Sequence, residues 1–146
     1  MGNSQSIIKI NFEDMQHVCK NKEQYLLINT LSESEQGCLI KNTTLAQTEV
    51  AIMDTYLKSN NKSVKIIIYG KHCNDELVEK KYHQLLKLGF TNVYIYSGGM
   101  FEWLLLQDIY GSDEFPTTSK QSDHLKYKPH PLLGKVEQKM ITYSTF

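Results

Sequence analysis

An α/β fold built on a central parallel sheet is predicted by three features of this 146-residue chain. The run Val64-Lys65-Ile66-Ile67-Ile68-Tyr69 is nearly all apolar toward its C-terminal end, as befits a central strand covered by helices on both faces. Apolar strand-like runs alternate with segments of helical periodicity, and strand, helix, strand in succession implies parallel pairing through right-handed crossovers. Glycines punctuate the junctions, with Gly89 placed to cap a helix in the left-handed conformation and Gly98-Gly99 standing before the next helical stretch.

Taken in order, Asn11 can cap a helix over Phe12 to Cys19, and Asp14 three residues on supplies the reciprocal acid of a capping box. Tyr25-Leu26-Leu27-Ile28 is a short apolar strand, followed by a polar turn rich in Ser and Glu. Leu39-Ile40 is a candidate for a brief strand. Thr44 with Gln47 suggests a second capping box, opening a helix whose apolar face carries Leu45, Ile52, Met53, Tyr56 and Leu57 and which ends at Ser59-Asn60-Asn61-Lys62. The central strand and its loop come next, then a helix closing at Leu88-Gly89, a strand over Asn92 to Tyr96, and a helix carrying Phe101, Trp103, Leu104, Leu105, Leu106, Ile109 and Tyr110. This last helix is apolar on more than one side, so most of it is core and a surplus face is free to dock the segment Phe115 to Tyr127 or a second protein.

Composition narrows the function. Lys plus Arg and Asp plus Glu each number 16, so no global field steers the chain toward nucleic acid, and the aromatics are not interleaved with a basic stripe. The three cysteines, Cys19, Cys38 and Cys73, lack metal-type spacing, and His83, His124 and His130 are too scattered for a ligand set, so neither a metal site nor a cofactor is implied. The absence of a secretory signal or a long apolar run points to a reduced, cytoplasmic protein. The start Met1-Gly2-Asn3-Ser4-Gln5-Ser6 fits the myristoylation pattern, with Gly2 exposed after methionine removal; one acyl chain confers only marginal, reversible membrane contact.

The loop Gly70-Lys71-His72-Cys73-Asn74-Asp75-Glu76 holds the candidate chemistry, because a strand-to-helix junction is where α/β folds bind anions and place nucleophiles. Cys73 beside a helix N-terminus, flanked by His72 and near Lys71, has three reasons for thiolate character. Against this, Asp75 and Glu76 stand at the first turn of the following helix, where they satisfy the N–H groups and dipole that an anionic substrate would use.

From Ile66 to Trp103 the order and punctuation resemble the rhodanese-like domain: the strand ending at Tyr69, the helix end Leu85-Leu86-Lys87-Leu88-Gly89-Phe90, the strand Asn92 to Tyr96, and Gly98-Gly99 before Trp103. The resemblance implies a three-layer α/β/α fold with a central parallel sheet, and a nucleophilic cysteine directly after the strand-end tyrosine, cradled by loop N–H groups with a cationic or hydroxyl group further along. Gly70 stands at that position, so the catalytic position is read as vacated. Counting back from Gly89 instead places Cys73 near the family's cysteine spacing, and the sequence leaves both alignments open. No arginine occurs anywhere in the chain, and lysine cannot supply its planar fork. The family's Asp-x-Arg and Gly-His-Ile runs correspond here to Asn29-Thr30-Leu31 and Gly37-Cys38-Leu39-Ile40, without the acid or its arginine. The run Gly98 to Gly111, continuing to Phe115-Pro116-Thr117-Thr118, is similar to rhodanese-like proteins of large cytoplasmic DNA viruses, and a lysine-only basic set suits an AT-rich genome; such an origin would place the protein in the host cytoplasm.

The expected organisation is therefore a flexible leader over 1–6, a rhodanese-like domain over 7–116 and a C-terminal extension over 117–146, in which Tyr127-Lys128-Pro129-His130-Pro131 is held extended by proline. Two functions are compatible with these residues. One is a catalytically inactive domain acting as a protein-interaction or regulatory module, with a protein partner and a tether at Gly2. The other is a sulfurtransferase, or a phosphatase, with Cys73 as nucleophile and Lys71 or His72 supplying positive charge. The oligomeric state is not legible.

Overall fold

A computed structural model describes residues 7–134. Gly2 and the rest of the 1–6 leader lie outside the described residues. Four strands, β1 (Lys9–Ile10), β2 (Tyr25–Asn29), β3 (Lys65–Tyr69) and β4 (Asn92–Tyr96), form one sheet in the order β1-β4-β3-β2. Every pairing is parallel, with Leu27 opposite Ile67 and Ile67 opposite Tyr94. Helices α1 (Phe12–Lys20) and α4 (Gly99–Tyr110) cover one face; α2 (Ala46–Lys58) and α3 (Glu76–Lys87) cover the other. Alternation along the strands divides the core accordingly. Leu27, Ile67, Tyr69 and Tyr96 pack against Met15, Val18, Met100 and Trp103, while Ile28, Ile66, Ile68 and Ile95 pack against Met53, Val78, Tyr82 and Leu85. This is the three-layer α/β/α architecture.

Local signals account for most element ends. Asp14 N–H donates to Asn11 Oδ1 at 3.0 Å and Asn11 N–H donates back to Asp14 Oδ2 at 3.1 Å, which is the expected capping box of α1. Gly89 has φ +101 and follows α3; its N–H donates to Leu86 O while that of Phe90 donates to Leu85 O, a paired C-terminal cap that seats Phe90 in the core.

Three expectations are corrected. Thr44 does not cap α2: its N–H donates to Leu27 O at 2.8 Å, the cap position falls on Leu45, and Ala46 N–H is taken by Gln36 Oε1 at 3.2 Å. Tertiary contacts of the preceding loop thus replace the local box. Leu45 is largely exposed rather than part of the α2 apolar face, and Glu49 is buried there instead, paired with Lys81 of α3. Leu39-Ile40 makes no strand with the sheet; Ile40 forms a single antiparallel bridge to Thr117. The two-residue strand β1 is too short to carry a period and was not expected.

Beyond position 116 the described part of the C-terminal extension packs against the domain. Phe115 and Tyr127 are both buried in the α1/α4 core, and Trp103 Nε1–H donates to Pro116 O at 3.1 Å. Gln107 Nε2 donates to Phe115 O and Thr117 Oγ1, and Thr118 N–H donates to Leu39 O. The segment Phe115 to Tyr127 thus occupies the surplus face of α4, while Ile109 and Tyr110 at its end remain exposed. Among the described residues no helix is long and apolar enough to cross a membrane.

Burial also sets an alkaline limit on the fold. It raises the Cys19 thiol from 9.0 to about 11, against a smaller opposite pull from Lys41, and raises Tyr127 from 10.0 to about 12 with help from Cys38, Glu35 and Asp123. Tyr69 and Tyr96 shift the same way, chiefly through burial. Each group stays protonated in the fold after the unfolded chain has begun to lose its proton, so their contribution is complete below the unfolded values of 9.0 and 10.0 and is lost as pH rises through the folded ones. The urea midpoint is expected to fall steadily from about pH 9 to about pH 11. A flat midpoint over that interval would contradict the assignment.

Candidate functional site

The site begins where β3 ends. Tyr69 is fixed by hydrogen bonds at both its backbone and its ring: Thr30 N–H donates to Tyr69 O at 3.0 Å, Ile40 N–H donates to the phenolic oxygen at 3.1 Å, and Thr43 Oγ1 lies 2.7 Å from the same oxygen. The following loop is clamped to α4 from the other side. Met100 N–H donates to Gly70 O at 2.9 Å and Phe101 N–H to Lys71 O at 2.8 Å, so loop carbonyls satisfy the free amides of the helix. Gly99 makes this approach possible: its φ is +64, and a Cβ there would stand 2.7 Å from Gly70 O.

Gly70 is buried, and the space a side chain would need is already filled. A Cβ would come within 2.6 Å of Val78 Cγ2 and 2.7 Å of Thr30 Oγ1, and closer still to Asp75 Oδ2. That carboxylate sits inside the loop, where Oδ2 accepts from Lys71 N–H at 3.0 Å and Oδ1 accepts from Leu77 N–H at 3.1 Å. Asp75 is the N-cap of α3 and Glu76 its first residue. The loop therefore carries its own anion at the helix N-terminus. Thr30 Oγ1 is buried without a hydrogen-bond partner among the described residues.

The other candidate residues are dispersed around this centre. Cys73 is exposed, and among the described residues no N–H donates to its sulfur. It lines a cleft of about 330 Å³ with Lys9, His72, Glu79, Tyr96 and Ser97. His72 faces its own turn: Asn74 N–H donates to His72 Nδ1 at 3.1 Å, and Asp75 N–H donates to His72 O at 3.3 Å. Desolvation pushes the imidazole below its ordinary value; Asp75 opposes this, while His130 and Lys71 add to it. Neutral imidazole suits the acceptor role of Nδ1. The Lys71 ammonium turns away from the loop to Glu35 Oε2 at 3.3 Å. Burial raises the Glu35 carboxyl, but hydrogen bonds from Ser32 and the Lys71 charge outweigh it and hold it below the usual carboxylate range.

Behind the loop, the Asn29 and Gln36 side chains bond to each other. Gln36 Nε2 donates to Asn29 Oδ1 at 2.8 Å, Leu31 N–H donates to the same oxygen at 3.0 Å, and Asn29 Nδ2 returns a bond to Gln36 Oε1 at 3.3 Å. A neutral amide pair links the end of β2 to the start of α2. Among the described residues no group of three or more His, Cys, Asp or Glu side chains could hold a metal ion.

Glu35 and Gln36 carried no sequence signal of their own: they lie in a polar turn and, with Thr30, approach the loop only through folding. Lys126, Lys128 and His130 reach it from the C-terminal segment and, with Lys71, Glu35 and Leu77, line a second cleft of about 510 Å³ beside it.

Similarity to known proteins agrees with this architecture. The Alr3790 protein from Anabaena superposes in its crystal structure with a TM-score of 0.55 at 17% identity, over 90% of this chain and 91% of that one. The solution structure of its rhodanese-like domain gives 0.56 at 19% identity, over 87% and 88% of the two chains. The yeast protein Ygr203w, described as a protein tyrosine phosphatase of the rhodanese family, gives 0.55 at 16% identity, over 82% and 98%. No curated protein matches the sequence. The sequence model of the rhodanese-like domain matches residues 19–106, from the end of α1 into α4 and across the whole β2–β4 parallel core, and on that match the chain belongs to the rhodanese-like domain family.

Proposed function

We propose that this rhodanese-like domain is catalytically inactive and serves as a protein-interaction or regulatory module, with Gly2 as a membrane tether. The observation that carries the proposal is the Asp75 carboxylate. It accepts from Lys71 and Leu77 N–H groups and packs against Gly70, so the loop holds a fixed negative charge next to the position where the family's nucleophile would stand. An incoming thiosulfate or phosphate would have to displace a covalently tethered carboxylate and would be repelled by it. The Lys71 ammonium on the same loop is engaged with Glu35 and so does not offset that charge.

A second function rests on Cys73, because its thiol is exposed on the same loop, beside His72 and in a cleft. In that scheme the thiolate attacks the outer sulfur of thiosulfate, the S–S bond breaks, sulfite leaves, and Cys73 carries a persulfide. The phosphatase named among the structural neighbours makes phosphoryl transfer the lesser variant of the same idea. Intact mass after incubation with thiosulfate separates the two. The inactive module is expected to gain nothing; a cyanide-removable gain of one sulfur that disappears in Cys73→Ser would establish the sulfurtransferase instead. Coexpression with an N-myristoyltransferase tests the tether, and an unmodified Gly2 would remove it.

A further inference from the structure

Two imidazoles meet where the loop after β3 approaches the C-terminal segment. His72 on the loop and His130 beyond the buried Tyr127 both line the 510 Å³ cleft. The other charged groups of that lining are Lys71, Lys126 and Lys128 against Glu35, Asp75 and Glu76, so their formal charges cancel. The imidazoles remain to change the balance, since histidine gains its proton between about pH 8 and pH 5, whereas lysines and carboxylates ordinarily titrate outside that range.

Neutral His72 has a structural task. Its Nδ1 accepts from Asn74 N–H at 3.1 Å, in the turn where Asp75 N–H also donates to His72 O at 3.3 Å. A protonated ring carries a hydrogen on both nitrogens and cannot accept that bond. Around the ring stand Lys71 and Asp75 of the loop, Glu76 and Glu79 of α3, Lys9 of β1, Glu35 of the turn after β2, and Lys126, Lys128 and His130 of the C-terminal segment. At the α4 end, Glu102 accepts from the Tyr96 hydroxyl at 2.6 Å. Desolvation first, then His130 and Lys71, hold the imidazole below its ordinary value, while Asp75 pulls the other way. The contribution of the neutral ring is therefore complete above the unfolded value of 6.5 and is lost as pH falls through the lower folded one.

The stretch that carries His130 is lightly held. No backbone hydrogen bond among the described residues ties Pro129, His130 or Pro131 to the domain; the last before them runs from Lys128 N–H to Leu125 O at 3.2 Å. The two prolines have no N–H to offer. Repulsion between like charges across a wet cleft is weak, but a stretch held by so few bonds yields to a weak force.

We propose that His72 and His130 form an acid-sensitive latch: when both are protonated they repel across the cleft, Asn74 N–H loses its acceptor, and the Pro129–Pro131 stretch parts from the loop. The cleft beside the plugged loop is thus closed at neutral pH and opens in mild acid, whether or not Cys73 reacts.

NMR titration of the full chain from about pH 7.5 to about pH 5.5 tests the latch above the ordinary carboxylate range. The His72 ring protons are expected to titrate below the ordinary imidazole midpoint, and the Asn74 amide proton should shift with the same midpoint. The heteronuclear NOE of the His130 amide should fall over the same interval as its stretch is released. His130→Gln, at an exposed position, should shift the His72 midpoint upward, because a repelling cation is gone. His72→Gln should abolish the Asn74 transition and the fall in the NOE. His83→Gln, exposed on α3 and lining neither cleft, should change none of these. A His72 midpoint that does not move in His130→Gln, an Asn74 amide that does not follow His72, or a constant His130 NOE would each overturn the proposal.

Discussion

Gly70→Cys is expected to destabilise the protein by about 1–3 kcal/mol and to confer no sulfur transfer. Restoring a cysteine after the strand-end tyrosine would ordinarily be the obvious route back to activity. Here the new Cβ would stand 2.6 Å from Val78 Cγ2 and 2.7 Å from Thr30 Oγ1, with Asp75 Oδ2 nearer still. Real Cβ contacts are not made at such distances, so α3 or the β2 end must shift, and both are packed into the sheet. Asp75 can yield because it is a side chain, but its removal has its own cost: the α3 N-cap and the bond to Lys71 N–H are lost, worth about 1 kcal/mol. The double variant Gly70→Cys/Asp75→Ala should therefore be less destabilised than the sum of the two single changes, by about 1 kcal/mol of coupling. Urea unfolding of the four proteins measures the coupling, and mass after thiosulfate measures the chemistry. Strict additivity, or a persulfide on Gly70→Cys alone, would mean that the carboxylate does not obstruct the position.

A chain ending at Pro116 is expected to lose at least about 3 kcal/mol, with a midpoint about 10 °C or more below that of the full chain. The family match stops at residue 106, which makes the remainder look dispensable. It is not packed that way. Truncation removes Tyr127 from the core, the Ile40–Thr117 bridge, and the bond from Thr118 N–H to Leu39 O, and it leaves Cys38 and Leu39 without cover. Loss of a fully buried aromatic alone costs about 3–5 kcal/mol, a large part of the 5–15 kcal/mol that holds an ordinary domain. Tyr127→Ala in the full chain isolates that share, and it should account for most of the loss. Equal thermal midpoints for the truncated and full chains would show that the segment only lies on the surface.

Much of the sheet was legible because its signals are local. Ile66-Ile67-Ile68 reads as a doubly covered strand from side-chain type alone, and Gly89 reads as a helix cap because φ +101 is costly for any residue with a Cβ. The Asn11/Asp14 box closes within four residues, so its geometry follows from spacing. The α2 start failed for the opposite reason: Thr44 and Gln47 have the right spacing, but Leu27 O holds the Thr44 amide and Gln36 reaches Ala46 from ten residues away. A pattern of local donors does not reveal a stronger distant acceptor.

By itself the sequence determined the order of the chemistry along the chain: an α/β pattern, a glycine after Tyr69, an acid at the start of the next helix, and a thiol three residues past the glycine. Only tertiary structure decided what these do together. It turned Asp75 inward onto Lys71 and Leu77 N–H, left Cys73 exposed, paired Asn29 with Gln36, and brought Lys126, Lys128 and His130 across some 55 residues of chain to the same loop. Hydrogen bonds and charges act through a few ångströms of space, whereas sequence separation measures only the path of the chain.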